Sequence, residues 1–233
     1  MMFFIYLSLF LSTMIFYVII KGSYEGEINL FSAKIKSIPK LVQTFFKVIP
    51  PIIISVFVYS NLNEEINIGY GILFSLMFCI AGDILINYKL IAGMLAFATG
   101  HILFSVSFIL FTDYYNFNLE KTIISGINII LACILCFKLF SYLKNSEKGL
   151  GKYKIPVLFY MIIILLMFST AITFAISQSF NIFLLVLGAS ILFLVSDSLL
   201  AIRDFHHYFR FAYISVISTY YCSLFLFSLL VIS

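Results

Sequence analysis

The chain has 233 residues, of which 63% are hydrophobic and only 10% charged, and its formal net charge is +4. A soluble domain carries about 25% charged residues, so this composition excludes a water-solvated globule and a disordered chain, and no nucleic-acid partner is expected. The expected fold is an all-α integral membrane protein: eight transmembrane helices in one bundle, a single domain over residues 1–233 with the lipid bilayer as solvent.

A spanning helix needs about 20 apolar residues. Met2–Ile20 is the first such run, and it lacks the basic n-region of a cleavable signal. A polar linker from Lys21 to Lys40 leads to Leu41–Tyr59, which carries Lys47 and the Pro50-Pro51 pair. The acidic turn Asn61–Glu65 precedes a third span, Ile66–Asn87, and Tyr88-Lys89 turns into the fourth, Leu90–Phe111. Thr122–Leu143 is the fifth, and Ile155–Ile176 the sixth, after a Gly- and Lys-rich loop. Phe180–Ile202 and Phe211–Ile232 complete the set, joined by a loop that contains His206-His207.

Basic residues set the orientation. Lys21, Lys34, Lys36, Lys40, Lys47, Lys89, Lys138, Lys144, Lys148, Lys152, Lys154, Arg203 and Arg210 all fall at one end of the bundle, and Lys121 at the other. That bias makes the first end cytoplasmic, in the cell membrane of a prokaryote, and puts both termini on the opposite face.

Counting depth at a rise of about 1.5 Å per residue then collects polar residues from different spans. Asp83 and Asp197 each precede a basic turn by six residues, and Tyr160 follows Lys154 by six, so all three sit about 9 Å inside the basic end. Lys47 joins this layer, whereas His101 counts as deeper, at about 18 Å. An ionised carboxylate within a span costs roughly 2.5–3.5 kcal/mol on insertion scales, so intramembrane acids point to function by default. Two carboxylates in one apolar site need a cation. Lys47 neutralises one and leaves the other protonated, an acid and a base in one cavity. The plainer alternative is an ion pair that only pins helices together. For His101 a cross-helix hydrogen bond is an equal alternative to a site role, and His206-His207 reads as a solvated loop. Gly93, Ala96, Gly100 and His101 form a small-residue face suited to close helix packing. Cys79, Cys133, Cys136 and Cys222 read as small buried hydrophobes: no second Cys or His pair accompanies Cys133-x-x-Cys136.

Gly82-Asp83, Gly93…Gly100-His101 and Gly188-Ala189…Phe193…Ser196-Asp197-Ser198, with Lys47-x-x-Pro50, Pro156…Tyr160…Met167…Ala171 and Tyr220-Tyr221, resemble the lysoplasmalogenase (YhhN-like) family of membrane proteins. Ser223-Leu224 departs from that pattern where a glutamine is expected. The resemblance implies hydrolysis of the vinyl ether bond of a lysoplasmalogen, with a lysophospholipid as partner, to a fatty aldehyde and a glycerophospho-amine. It makes Asp83 and Asp197 the catalytic pair, and Lys47, Tyr160, His101, Asn87, Ser190 and Tyr220 the substrate-binding set. No metal and no cofactor is implied.

Two other classes fit part of the pattern. A proton-coupled transporter or flippase also uses membrane acids, and Asp83-x-Leu85 and Asp197-x-Leu199 hint at a duplicated four-helix unit. Its path should open to both faces, yet the half of the chain away from the basic end is nearly free of polar residues. A membrane zinc amidohydrolase needs about three His or Asp ligands, and only His101 lies within a span.

Overall fold

A computed structural model describes residues 2–27, 39–62, 67–146 and 149–232. Lys34, Lys36 and Lys148 of the basic bias, most of the acidic turn (Asn63, Glu64, Glu65) and the start of the third predicted span at Ile66 lie outside the described residues. Among the described residues are eight helices long and apolar enough to cross a membrane: α1 (Met2–Tyr24), α2 (Lys40–Ser60), α3 (Ile68–Leu85), α4 (Leu90–Phe111), α5 (Leu119–Lys144), α6 (Lys154–Ser177), α7 (Phe180–Phe205) and α8 (Ala212–Ser228). The chain is an all-α, multi-pass membrane protein.

Hydropathy located the spans but not their ends, because side-chain caps decide the ends. Asn67 accepts a hydrogen bond from the Gly69 N–H and starts α3 two residues after the predicted start. Asn118 does the same for the Lys121 N–H, so α5 begins at Leu119 rather than Thr122. α1 and α7 run past the apolar stretch to Tyr24 and Phe205, carrying Lys21 and Arg203 in their last turns.

Packing follows two similar chains of neighbours. α1 packs on α2, α2 on α3 and α3 on α4; α5 packs on α6, α6 on α7 and α7 on α8. The two sets join where α4 meets α6 and where α8 meets α2. The closest approaches lie between α3 and α4. A Cβ on Gly93 would stand 2.6 Å from the Ile86 Cα, and one on Gly82 would stand 2.7 Å from the Phe97 ring. Gly100 sits over the Ser75 carbonyl and the Cys79 sulfur, so the small-residue face does bring α4 against α3. The core between α4, α7 and α8 is aromatic: Phe104, Phe108, Phe193 and Phe227 are fully buried, with Phe104 and Phe108 rings 4.9 and 5.5 Å from Phe227. In a bilayer such rings contribute through close contact, since lipid tails remove most of the drive to leave water. α5 stands at the edge, with Ile123, Ile127, Ile130, Leu131 and Phe137 exposed. Cys133 is exposed there too and Cys136 and Cys222 are half-buried; only Cys79 is buried as the sequence suggested.

Candidate active site

The two membrane acids lie in separate clusters at the basic end of the bundle. Asp83 of α3 is 1% exposed; its Oδ1 lies 2.9 Å from the Lys47 Nζ of α2. Its Oδ2 accepts a 2.9 Å hydrogen bond from the Tyr220 hydroxyl of α8. Asp197 of α7 is 10% exposed and receives both its partners on one oxygen. The Tyr160 hydroxyl of α6 donates to Oδ2 at 2.5 Å, and the His101 Nε2 of α4 lies 3.2 Å from the same atom. His101 Nδ1 is buried without a partner. The tautomer assigned by this network therefore carries its proton on Nε2, leaving a bare acceptor rather than an orphaned N–H in the core.

Moving four helices along the chain maps one cluster on the other. Lys47 on α2 corresponds to Tyr160 on α6, Asp83 on α3 to Asp197 on α7, and Tyr220 on α8 to His101 on α4. The main helix contacts repeat in the same way, although α1 on α8 has no comparable counterpart between α5 and α4; this packing agrees with the repeat hinted at by Asp-x-Leu.

Local sequence explains how Lys47 is held. Pro51 has no N–H to give the carbonyl four residues earlier, which is that of Lys47. The Tyr221 hydroxyl supplies the missing donor at 2.6 Å. Tyr220 and Tyr221 thus serve Asp83 and the Lys47 backbone from adjacent positions.

Two cavities meet at Asp197. A polar one of about 420 Å³ opens at the basic end, lined by Tyr17, Lys21, Lys47, Asp83, Asn87, Arg203, Tyr213 and Tyr220 among others. An apolar one of about 390 Å³ runs between α4, α5, α6 and α7, with Met94, Leu135, Tyr160, Met161 and Leu194 in its wall. Ile86, Leu90, Phe97, Asp197, Leu200 and Asp204 line both.

The polar cavity also contains charged groups that the sequence offered only as topology signals. Lys21 and Arg203 both lie over the Tyr213 ring, at 4.5 and 4.1 Å from its centroid, two cation–π contacts. Lys21 pairs with Glu25 at 2.7 Å and Arg203 with Asp204 at 2.7 Å. Glu27 holds the end of α1 to α8 by accepting from the Tyr213 and Ile214 N–H groups at 3.0 and 3.2 Å and from the Tyr208 hydroxyl. Loss of hydration and the Glu27 carboxylate push the Tyr208 hydroxyl above its ordinary range, which keeps the proton on the donor.

Of the residues named from sequence, Lys47, Asp83, Asn87, Tyr160, Asp197 and Tyr220 line one or both cavities. Asn87 donates to Thr44 at 2.9 Å, tying α3 to α2. His101 is fully buried behind Asp197 and bonds it directly, instead of lining the space as a deeper residue. The depth count used backbone positions alone. Helical side chains tilt toward the N-terminus of their helix, so His101 on α4 leans to the basic end and Asp197 on the antiparallel α7 leans inward. Ser190 is buried and donates to the Leu187 carbonyl of its own helix at 3.1 Å, and it is not among the residues lining either cavity. Ser223 donates to the Ala189 carbonyl at 2.7 Å, joining α8 to α7. Among the described residues no group of three or more His, Cys, Asp or Glu has metal-binding geometry.

A sequence model of the YhhN family matches residues 42–231, which takes in α2 to α8 with both acids and their partners. The chain belongs to the YhhN family. This family is associated with lysoplasmalogenase activity, and the matched stretch of this chain contains the membrane acids Asp83 and Asp197. α1, which brings Tyr17, Lys21, Tyr24 and Glu25 to the polar cavity, lies outside the matched stretch. No curated protein and no solved structure matches the chain.

Proposed function

We propose that this YhhN-family protein hydrolyses the vinyl ether bond of a lysoplasmalogen, or of a closely related lysolipid, to a fatty aldehyde and a glycerophospho-amine. The observation that carries this reading is the meeting of a polar and an apolar cavity along a wall that holds Asp197, beside Asp204, whose carboxylate is taken up by Arg203. In such a lipid the vinyl ether lies where the polar glycerol joins the alkyl chain. The glycerophosphate occupies the polar cavity near Lys21, Arg203 and Lys47, the chain occupies the apolar one, and the reactive bond lies at Asp197. The basic end faces the cytoplasm and both termini the other side. The packed rings of Phe104, Phe108, Phe193 and Phe227 below the acids favour a site with one mouth over a transporter's two-sided path.

The acids take different roles. Asp197 has both its partners on Oδ2, which leaves Oδ1 free to deliver a proton to the β-carbon of the vinyl ether. The alkene electrons form the new C–H bond and leave an oxocarbenium ion. Asp83, held as a carboxylate by Lys47 and Tyr220, stabilises that cation across the polar cavity and takes a proton from the water that captures it. The resulting hemiacetal collapses: its hydroxyl proton moves to the glycerol oxygen, the C–O bond to glycerol breaks and the aldehyde leaves. Cavity water returns the Asp83 proton to Asp197. Lys47 keeps Asp83 charged, while Tyr160 and His101 orient Asp197.

The test is aldehyde release from lysoplasmalogen by the purified protein. Asp197→Asn should lose about 10²–10⁴-fold in rate, the usual worth of a general acid, and Asp83→Asn should also be strongly impaired. In heavy water the aldehyde should carry one deuterium at the carbon next to the carbonyl. Equal release by the wild type and both variants would remove the acids from the chemistry.

A further inference from the structure

The apolar cavity continues beyond the site. A second apolar cavity, of about 320 Å³, lies farther from the basic end, with Thr112, Tyr114, Ile129, Cys133 and Thr173 in its wall. Cys136 and Leu165 line both, so the two are separated by no more than that shared wall. Together they form a furrow with α5 on one side and α4 and α6 on the other, starting at Asp197 and ending beside Thr112. Thr112 is eleven residues beyond His101 on α4, and His101 touches Asp197, so the furrow is about 16 Å long.

Its surface suits a hydrocarbon. Thr112, Thr170 and Thr173 each donate to a carbonyl of their own helix and so bring no unpaired hydroxyl to the furrow. Ile129, Leu135, Ile162 and Leu166 are about half-exposed, so the furrow is open to the bilayer along its side and a chain enters sideways without threading.

We propose that this joined furrow is the binding track for the single alkyl chain of the substrate and makes the protein select long chains over medium ones. The proposal rests on the lysolipid reading above. Its occupant is one unbranched chain because the furrow adjoins the cavity at Asp197 through the shared Cys136 and Leu165 and has a mostly apolar wall along its length. A medium chain ends near Cys136 and gains nothing from the second cavity, whereas a long chain passes Cys136 and fills both.

Cys133→Trp tests the track, because Cys133 is exposed and lines only the second cavity. With detergent-dispersed substrates, KM for a hexadecenyl lysolipid should rise at least about fivefold, since several methylenes lose their contacts, while KM for the decenyl analogue stays unchanged. Ile134→Trp, on the exposed face of α5, should alter neither. A second measurement needs no turnover: in the wild type, a saturated hexadecyl ether lysolipid should slow alkylation of Cys133, which lines only the second cavity, by an apolar maleimide, read by mass spectrometry, and the decyl ether should not. Equal effects of Cys133→Trp on both chain lengths, or equal protection of Cys133 by both ethers, would overturn the track. If the wild type releases no aldehyde from either substrate, the lysolipid-hydrolase reading fails, and Cys133 protection still decides the track by itself.

Discussion

The two acid clusters occupy equivalent places in two similar halves of the bundle, yet they are held differently. On one side Asp83, in the wall of the polar cavity, has a lysine on one oxygen and a tyrosine on the other and is 1% exposed. On the other, Asp197 takes a tyrosine and a histidine on a single oxygen and stands where both cavities meet. The lysine position of the first half is a tyrosine in the second. That single difference in side-chain type separates a charge-compensated acid from one with no lysine or arginine among its contacts. In the proposed mechanism the first supplies the fixed charge and the second the proton.

The largest effect on this contrast should come from Lys47→Met. Taking one partner from a buried ion pair costs roughly 3–5 kcal/mol, so thermal unfolding in detergent should show a marked loss of stability together with loss of activity. Adding Asp83→Asn to that variant should restore much of the stability but not the activity. An unchanged melting temperature for Lys47→Met would mean that the pair contributes nothing to the fold. A smaller effect separates the tyrosines. Tyr160→Phe should lower kcat about tenfold with little change in stability, while Tyr220→Phe should cost about 1.5–3 kcal/mol of stability, the range for a hydrogen bond to a charged group. Similar kcat and stability losses for the two would erase the distinction between the acids. The smallest concerns the Lys47 backbone: Tyr221→Phe leaves that carbonyl without its donor, at about 1–3 kcal/mol, and Pro51→Ala should recover part of this by restoring an N–H. Failure of Pro51→Ala to compensate would show that the hydroxyl acts otherwise.

The eight spans were legible because a bilayer demands long apolar helices whatever their partners, and Asp83, Asp197, Lys47 and Tyr160 stood out as polar groups at one depth. What depth could not supply was partnership. Lys47 could have met either acid; the choice depends on α2 packing on α3 and α8 rather than on α7, and nothing local in the sequence encodes that neighbour relation. His101 was placed too deep because a backbone count ignores the direction in which side chains lean. Lys21 and Arg203 were read as orientation signals, and they fit that role, but a basic residue in the last turn of a helix carries the same signature whether it faces lipid heads or a cavity. Ser190 shares a stripe with Asp197, yet its hydroxyl finds an acceptor one turn back in its own helix, as a serine in an apolar helix readily does.

Tyr220 and Tyr221 have a mechanical consequence. Adjacent side chains leave a helix about 100° apart, and these two reach different atoms of the α2–α3 pair, one the Asp83 carboxylate and the other the Lys47 carbonyl. A single anchor would let α8 swivel about it. Two anchors at that angle fix both the rotation and the depth of α8, so any shift of this helix pulls on the acid and on its counter-ion at once.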